Sequence, residues 1–146
     1  MRAQRASGAF ARAVLSALIA LWFCGAARAD PRVDYLLHCA GCHLENGRGD
    51  PPRVPDLRRD LDVFGTDRAG RAYLTQVPGA AQVPIDDAAL ARVLNWMLRE
   101  FYPDRRFAAF DGDEVGRTRH TILADPLKRR RQLLAAISSN RPDQIP

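Results

Sequence analysis

Residues 39–43 read Cys-Ala-Gly-Cys-His, the densest group of reactive side chains in a 146-residue chain. Two thiols three positions apart lie on one side of a helical turn. From there both can bond to two points on one edge of a flat ring. The imidazole of His43, next in sequence, can then grip a metal at the ring's centre. Ala40 and Gly41 are small, so a ring edge can approach the backbone. Other chemistries compete for the same residues. A thioredoxin-like dithiol needs a surrounding βαβ pattern, and none is visible. A structural zinc site needs four ligands, and beyond these three residues the chain offers only His38 and His120 as further imidazoles. A plain disulfide between Cys39 and Cys42 would persist in an oxidising compartment but gives His43 no role.

Cys-x-x-Cys-His is the attachment pattern of c-type haem, and its surroundings extend the match. The chain resembles the class I c-type cytochromes over about residues 31–101. In that family an aromatic lies one turn before the first cysteine, as Tyr35 does here. After a glycine-rich loop, a proline carbonyl accepts the second ring N–H of the proximal histidine. Here Asn46-Gly47-Arg48-Gly49-Asp50 is followed by Val54-Pro55-Asp56-Leu57, and Pro55 takes that place. Such a bond fixes the imidazole tautomer and raises its basicity. The resemblance implies one covalent haem c on Cys39 and Cys42, with His43 as the proximal iron ligand. The fold it implies is all-α, three core helices around the haem, followed by a C-terminal helical extension.

The elements that must position these groups are partly readable from periodicity. Asp86 is a good N-cap for a helix over Ala88–Phe101. Leu90, Val93, Leu94, Met97, Leu98 and Phe101 form its apolar stripe at helical spacing. The resemblance makes this the last core helix, with Trp96 crossing towards Tyr35. Gly70–Val77 reads as a short helix ended by Pro78, with Phe64 and Tyr73 walling the pocket. Residues 58–68 mix charged and apolar side chains around a turn-like Gly65-Thr66-Asp67. Class I cytochromes usually carry a methionine in the loop before the last helix. The corresponding 76–84 segment, Gln-Val-Pro-Gly-Ala-Ala-Gln-Val-Pro, has no methionine, histidine, lysine or cysteine. The distal ligand is therefore open. Met97 is a candidate, against a plainer role in core packing. His120 reads as a surface residue on an additional helix.

Residues 1–29 carry Arg2, Arg5 and Arg12, the apolar run Ala13–Cys24 and the small-x-small triplet Ala27-Arg28-Ala29. That is the layout of a secretory signal peptide cut after Ala29. The run is short of the roughly 20 residues that span a bilayer, so no membrane span is expected after cleavage. The formal charge is +5, but residues 1–29 hold four arginines and no acid. The remainder has 18 basic against 17 acidic side chains, which gives no case for nucleic-acid binding. The division expected is a signal peptide at 1–29, a haem domain at 30–102 and a helical extension at 103–146. In the extension, Leu127, Leu134 and Ile137 make one helix face. Lys128, Arg129, Arg130 and Arg131 read as the opposite, solvated face or as a docking patch for an acidic redox partner. The function expected is single-electron transfer in the periplasm or another exported compartment. The resemblance implies a dehydrogenase donor and an oxidase or cytochrome acceptor. Two alternatives stand beside it: a five-coordinate haem protein binding or reducing a gas or peroxide, and the haem subunit of a larger oxidoreductase.

Overall fold

Aspartates punctuate the chain, and the helices begin behind them. The computed structural model describes residues 29–121 and 123–140. Its helices are α1 (Pro31–His38), α2 (Ala40–His43), α3 (Leu57–Thr66), α4 (Arg68–Gln76), α5 (Pro78–Ala81), α6 (Asp87–Phe101), α7 (Gly112–Thr118) and α8 (Pro126–Asn140). Asp30, Asp56, Asp67, Asp86 and Asp111 each accept a backbone N–H of the first turn behind them. Asp125 does the same for Lys128 of α8 at 2.8 Å. Each such cap stabilises its helix by about 1 kcal/mol. Helix makes up 65% of the described residues, and no strand occurs among them, so the all-α expectation holds.

Three local expectations need correction. The 58–68 stretch, read as mixed charged and apolar residues around a turn at 65–67, is mostly the body of α3, which runs through Gly65 to Thr66. Leu61 and Phe64 fill its buried face, three residues apart, and the turn expected at 65–67 is the α3–α4 junction. Asp67 closes it, ending one helix and capping the next. His120 lies beyond the end of α7 in an exposed turn rather than on a helix. The basic run of α8 is not a uniform solvated face, because Arg130 turns inward while Lys128, Arg129 and Arg131 are exposed.

α6 is the central element, packed against α1, α3 and α7. Where α1 crosses it, the Tyr35 ring lies 5.0 Å from Trp96 and 6.1 Å from Phe101. The α3–α4 hairpin is tight. A Cβ at Gly70 would come within 2.6 Å of the Phe64 Cα, so only glycine permits that approach. The segment after residue 102 is not an appendage. Phe110, Val115, Leu133 and Ile137 belong to the same buried cluster as Tyr35, Leu61 and Leu98. Asn95 of α6 pairs with the Phe110 backbone in both directions, at 2.8 and 2.9 Å. Arg71 of α4 donates to Glu114 of α7 at 2.7 Å and stacks 3.7 Å above the Phe110 ring. No described helix is long and apolar enough to cross a membrane. The signal-peptide reading of residues 1–28 lies outside the described residues, as does the tail beyond Asn140.

Candidate functional site

α1, α3, α4, α6 and α8 enclose a cleft of about 430 Å³, within the range of small-molecule and cofactor pockets. Cys39, Cys42 and His43 all open onto it, together with Val54, Pro55 and Leu57 from the loop behind them. α1 ends at Cys39, whose N–H still bonds Tyr35. The chain then makes one more helical turn, with the His43 N–H donating to the Cys39 carbonyl at 2.9 Å. That turn puts both sulfurs and the imidazole on one lip of the cleft. The two cysteines carry no disulfide.

The imidazole is held from behind. His43 Nδ1 lies 3.1 Å from the Pro55 carbonyl oxygen. As the donor to that carbonyl, Nδ1 carries the proton, which leaves the Nε2 lone pair free. Burial pushes the His43 pKa down; the Pro55 carbonyl opposes this and the Arg130 charge adds to it. The loop that delivers Pro55 is pinned to the motif: the Gly49 N–H donates to the His43 carbonyl at 2.9 Å, and Leu57 N–H to Gly47 at 2.8 Å. Gly49 has φ +65°, and a Cβ there would sit 2.6 and 2.7 Å from the Val54 and Pro55 carbonyl oxygens. Gly49→Ala is therefore expected to push Pro55 away from His43 and cost about 2 kcal/mol or more, combining left-handed strain with a backbone collision. Chemical denaturation checks the cost, and an NMR titration of His43 checks the lost carbonyl contact.

The Cys39 thiol is shifted away from the range of a nucleophilic cysteine. Burial pushes Cys39 up to about 11, and Asp34 and Cys42 add to the effect. Nucleophilic cysteines need the opposite, a lowered pKa in a positive surrounding. Nor, among the described residues, do three His, Cys, Asp or Glu side chains converge in a way that could hold a bare metal ion.

The remaining walls are apolar. Leu61 and Phe64 come from α3, Tyr73 and Leu74 from α4, and Leu90, Val93, Leu94 and Met97 from α6. Met97, 7% exposed, thus reaches the cleft as well as the core. The 77–85 segment contributes Val77, Pro78, Gly79, Ala80, Val83 and Ile85; Gln76 and Gln82 do not line the cleft. This wall is held in place by Arg119, itself 6% exposed. Its guanidinium donates to the carbonyls of Val83 and Ile85 at 3.0 Å, reaches those of Ala80 and Ala81 at 3.4 Å, and pairs with Asp87 at 2.8 Å.

Sequence reasoning missed Asp34 and Arg119, and it set Arg130 on the face opposite Leu127, Leu134 and Ile137, whereas Arg130 and Leu127 both line the cleft and Leu133, not Leu134, is buried with Ile137. Asp34 is 6% exposed at the cleft, with Oδ2 lacking a hydrogen-bond partner. Its spacing of four from His38 was the available signal. Arg130 shares a helix face with the buried Leu133 and Ile137 at i+3 and i+7, a stripe that was legible. Arg119 left no local trace. No family model matches the chain, and neither the curated proteins nor the solved structures contain a match.

Proposed function

We propose that this chain is a c-type cytochrome that carries one haem c in the cleft, attached through thioethers to Cys39 and Cys42 and ligated at iron by His43 Nε2. The observation that carries this reading is the convergence of both thiols and a carbonyl-oriented, lone-pair-bearing imidazole on one lip of an apolar cleft. The donor set fits the group: two unpaired sulfurs for the ring edge and a neutral nitrogen for the metal. When bound, the haem supplies one-electron cycling between ferric and ferrous iron. His43 would supply a nitrogen ligand to the iron, and the Pro55 carbonyl fixes its tautomer and orientation. Leu61, Phe64, Leu74, Val93 and Leu94 line the cleft and would exclude water from a haem held there, a lever on reduction potential. The lip at Cys42 is exposed, which leaves an edge for a redox partner to approach. The leading role is an exported electron carrier.

A second reading has an observation of its own. The 77–85 wall offers the cleft no side chain able to ligate iron, which favours a haem protein that binds a small external ligand. Met97 is the one thioether at the cleft among the described residues and is the candidate sixth ligand under the carrier reading. Expression in a host that matures c-type cytochromes tests both. The expected product gains the mass of one haem, keeps its colour after unfolding and gives a two-thioether haemochrome spectrum. A colourless protein with both thiols free overturns the proposal. A ferrous spectrum unmoved by carbon monoxide assigns the carrier role; rapid carbon monoxide binding assigns the ligand-binding role.

A further inference from the structure

The cleft contains one largely covered cation among its described lining residues. Arg53 also lines the cleft, but its side chain is 83% exposed and paired with Asp50. Arg130 is 16% exposed. It reaches the cleft from α8, a helix that lies beyond the 30–102 core. Its direction is imposed by the helix itself: Leu133 and Ile137, on the same face, are 5% and 7% exposed and anchor α8 to the core. Asp125 fixes the start of that helix, and Leu127 joins Arg130 at the cleft.

The surroundings of the guanidinium are only partly satisfying. It pairs with Asp60 of α3, whose side chain is one-third exposed. It lies 5.1 Å above the Phe64 ring. Tyr73 lines the same cleft; burial pushes its hydroxyl pKa up, and the nearby Arg130 opposes that shift. Its charge is felt at His43. A guanidinium has five N–H donors in a planar fork suited to two oxygens, and Asp60 occupies part of that fork. Burying such a charge is costly unless it is fully paired. The neighbouring 77–83 wall supplies neither charge nor hydrogen-bonding side chain.

We propose that Arg130 and the Tyr73 hydroxyl form an anion site inside the cleft, supplied by α8, that takes a carboxylate-type oxygen. The inference rests on the haem reading above. Two sources provide that chemistry: a carboxylate of the cofactor's own propionate side chains, or a small free anion admitted to the iron. In either case α8 is part of the binding site rather than a decoration on it.

The test uses the haem-loaded full chain and its R130Q, R130K and D60N variants. Formate is the anionic probe and imidazole the neutral control, both titrated against the ferric protein, with the midpoint potential measured from pH 5 to 9. If the site serves a free anion, R130Q weakens formate at least about ten-fold, the loss of one charge-assisted bond, and leaves imidazole unchanged. If it serves the cofactor's carboxylate, formate is unaffected. The R130Q potential then falls and becomes pH-dependent, because the uncovered carboxylate titrates. Either result supports the site and names its source. R130K keeps the charge without the fork and is expected between wild type and R130Q. D60N removes the competing carboxylate and is expected to shift the same readout the opposite way. These two variants carry the test if R130Q does not fold. Variants indistinguishable from wild type in formate-to-imidazole ratio, potential and pH dependence overturn the anion site. A wild type without pigment instead rejects the haem reading itself.

Discussion

Replacing Cys39 and Cys42 together by serine is expected to abolish covalent pigment and, with it, the cooperative fold. On the haem reading, acid–acetone extraction should move all residual haem of the variant into the organic phase, whereas the wild type should keep its haem with the polypeptide. The effect on stability follows from the cleft. Its walls are Leu61, Phe64, Leu74, Leu90, Val93, Leu94 and Met97, and its volume is about 430 Å³. At the cost of a dry core cavity, about 24 cal/mol per Å³, an unfilled space of that size is worth on the order of 10 kcal/mol. This is an upper figure, because the cleft opens at the Cys42 lip. It is nevertheless comparable to the ~5–15 kcal/mol that holds a domain of this size together. The haem-free variant should therefore keep much of its far-ultraviolet helical signal, lose near-ultraviolet signal from Tyr35, Tyr73 and Trp96, and bind a hydrophobic dye. A sharp, wild-type-like thermal transition in the double variant would show that the cleft closes by itself and carries no such cost.

Arg119→Met is expected to be the most damaging single change outside the attachment motif. The substitution keeps length and apolar bulk but removes the cation that gathers the carbonyls of Ala80, Ala81, Val83 and Ile85 and pairs with Asp87. The freed acceptors lie in a segment with few alternatives: Val83 is buried, and Ala80, Ala81 and Ile85 are half-buried. Charge-assisted bonds contribute roughly 1.5–3 kcal/mol each, whereas the Asp87 carboxylate left behind is 38% exposed and can be solvated. A loss of about 4 kcal/mol lowers the melting temperature by more than ~10 °C for a chain of this length. Hydrogen exchange should locate the damage, with protection lost first in residues 80–85 rather than in α6. Equal loss across the whole molecule would mean that Arg119 serves the core generally and not the cleft wall. The same contact explains why the segment after residue 102 matters to the site, since the wall before α6 is fixed by a residue that follows it by more than 30 positions.

Much of this molecule was written locally. The Cys39–His43 motif is contiguous, so its match to the c-type haem attachment pattern is legible without any tertiary structure. Asp86 and the stripe Leu90–Val93–Leu94–Met97–Leu98 place α6 to within one residue of Asp87–Phe101. The Tyr35–Trp96 contact follows once α1 and α6 are taken to cross. α3 was hidden because its apolar side is narrow, set among arginines and aspartates, and because Gly65-Thr66 reads as a turn. Gly65 is tolerated inside the helix since Leu98 of α6 lies where a Cβ would be.

What periodicity and spacing alone determined is therefore the set of donors and the helices that carry them. Tertiary structure decided everything that depends on distant partners. It set the Pro55 carbonyl behind His43, turned Arg130 inward to Asp60 across 70 residues and made Arg119 the clamp of a wall 34 to 39 residues earlier. Caps and stripes are interactions between neighbours, so they leave a pattern in the chain. A guanidinium finds its carbonyls only after the helices have packed, and any arginine on a solvated face looks the same until then.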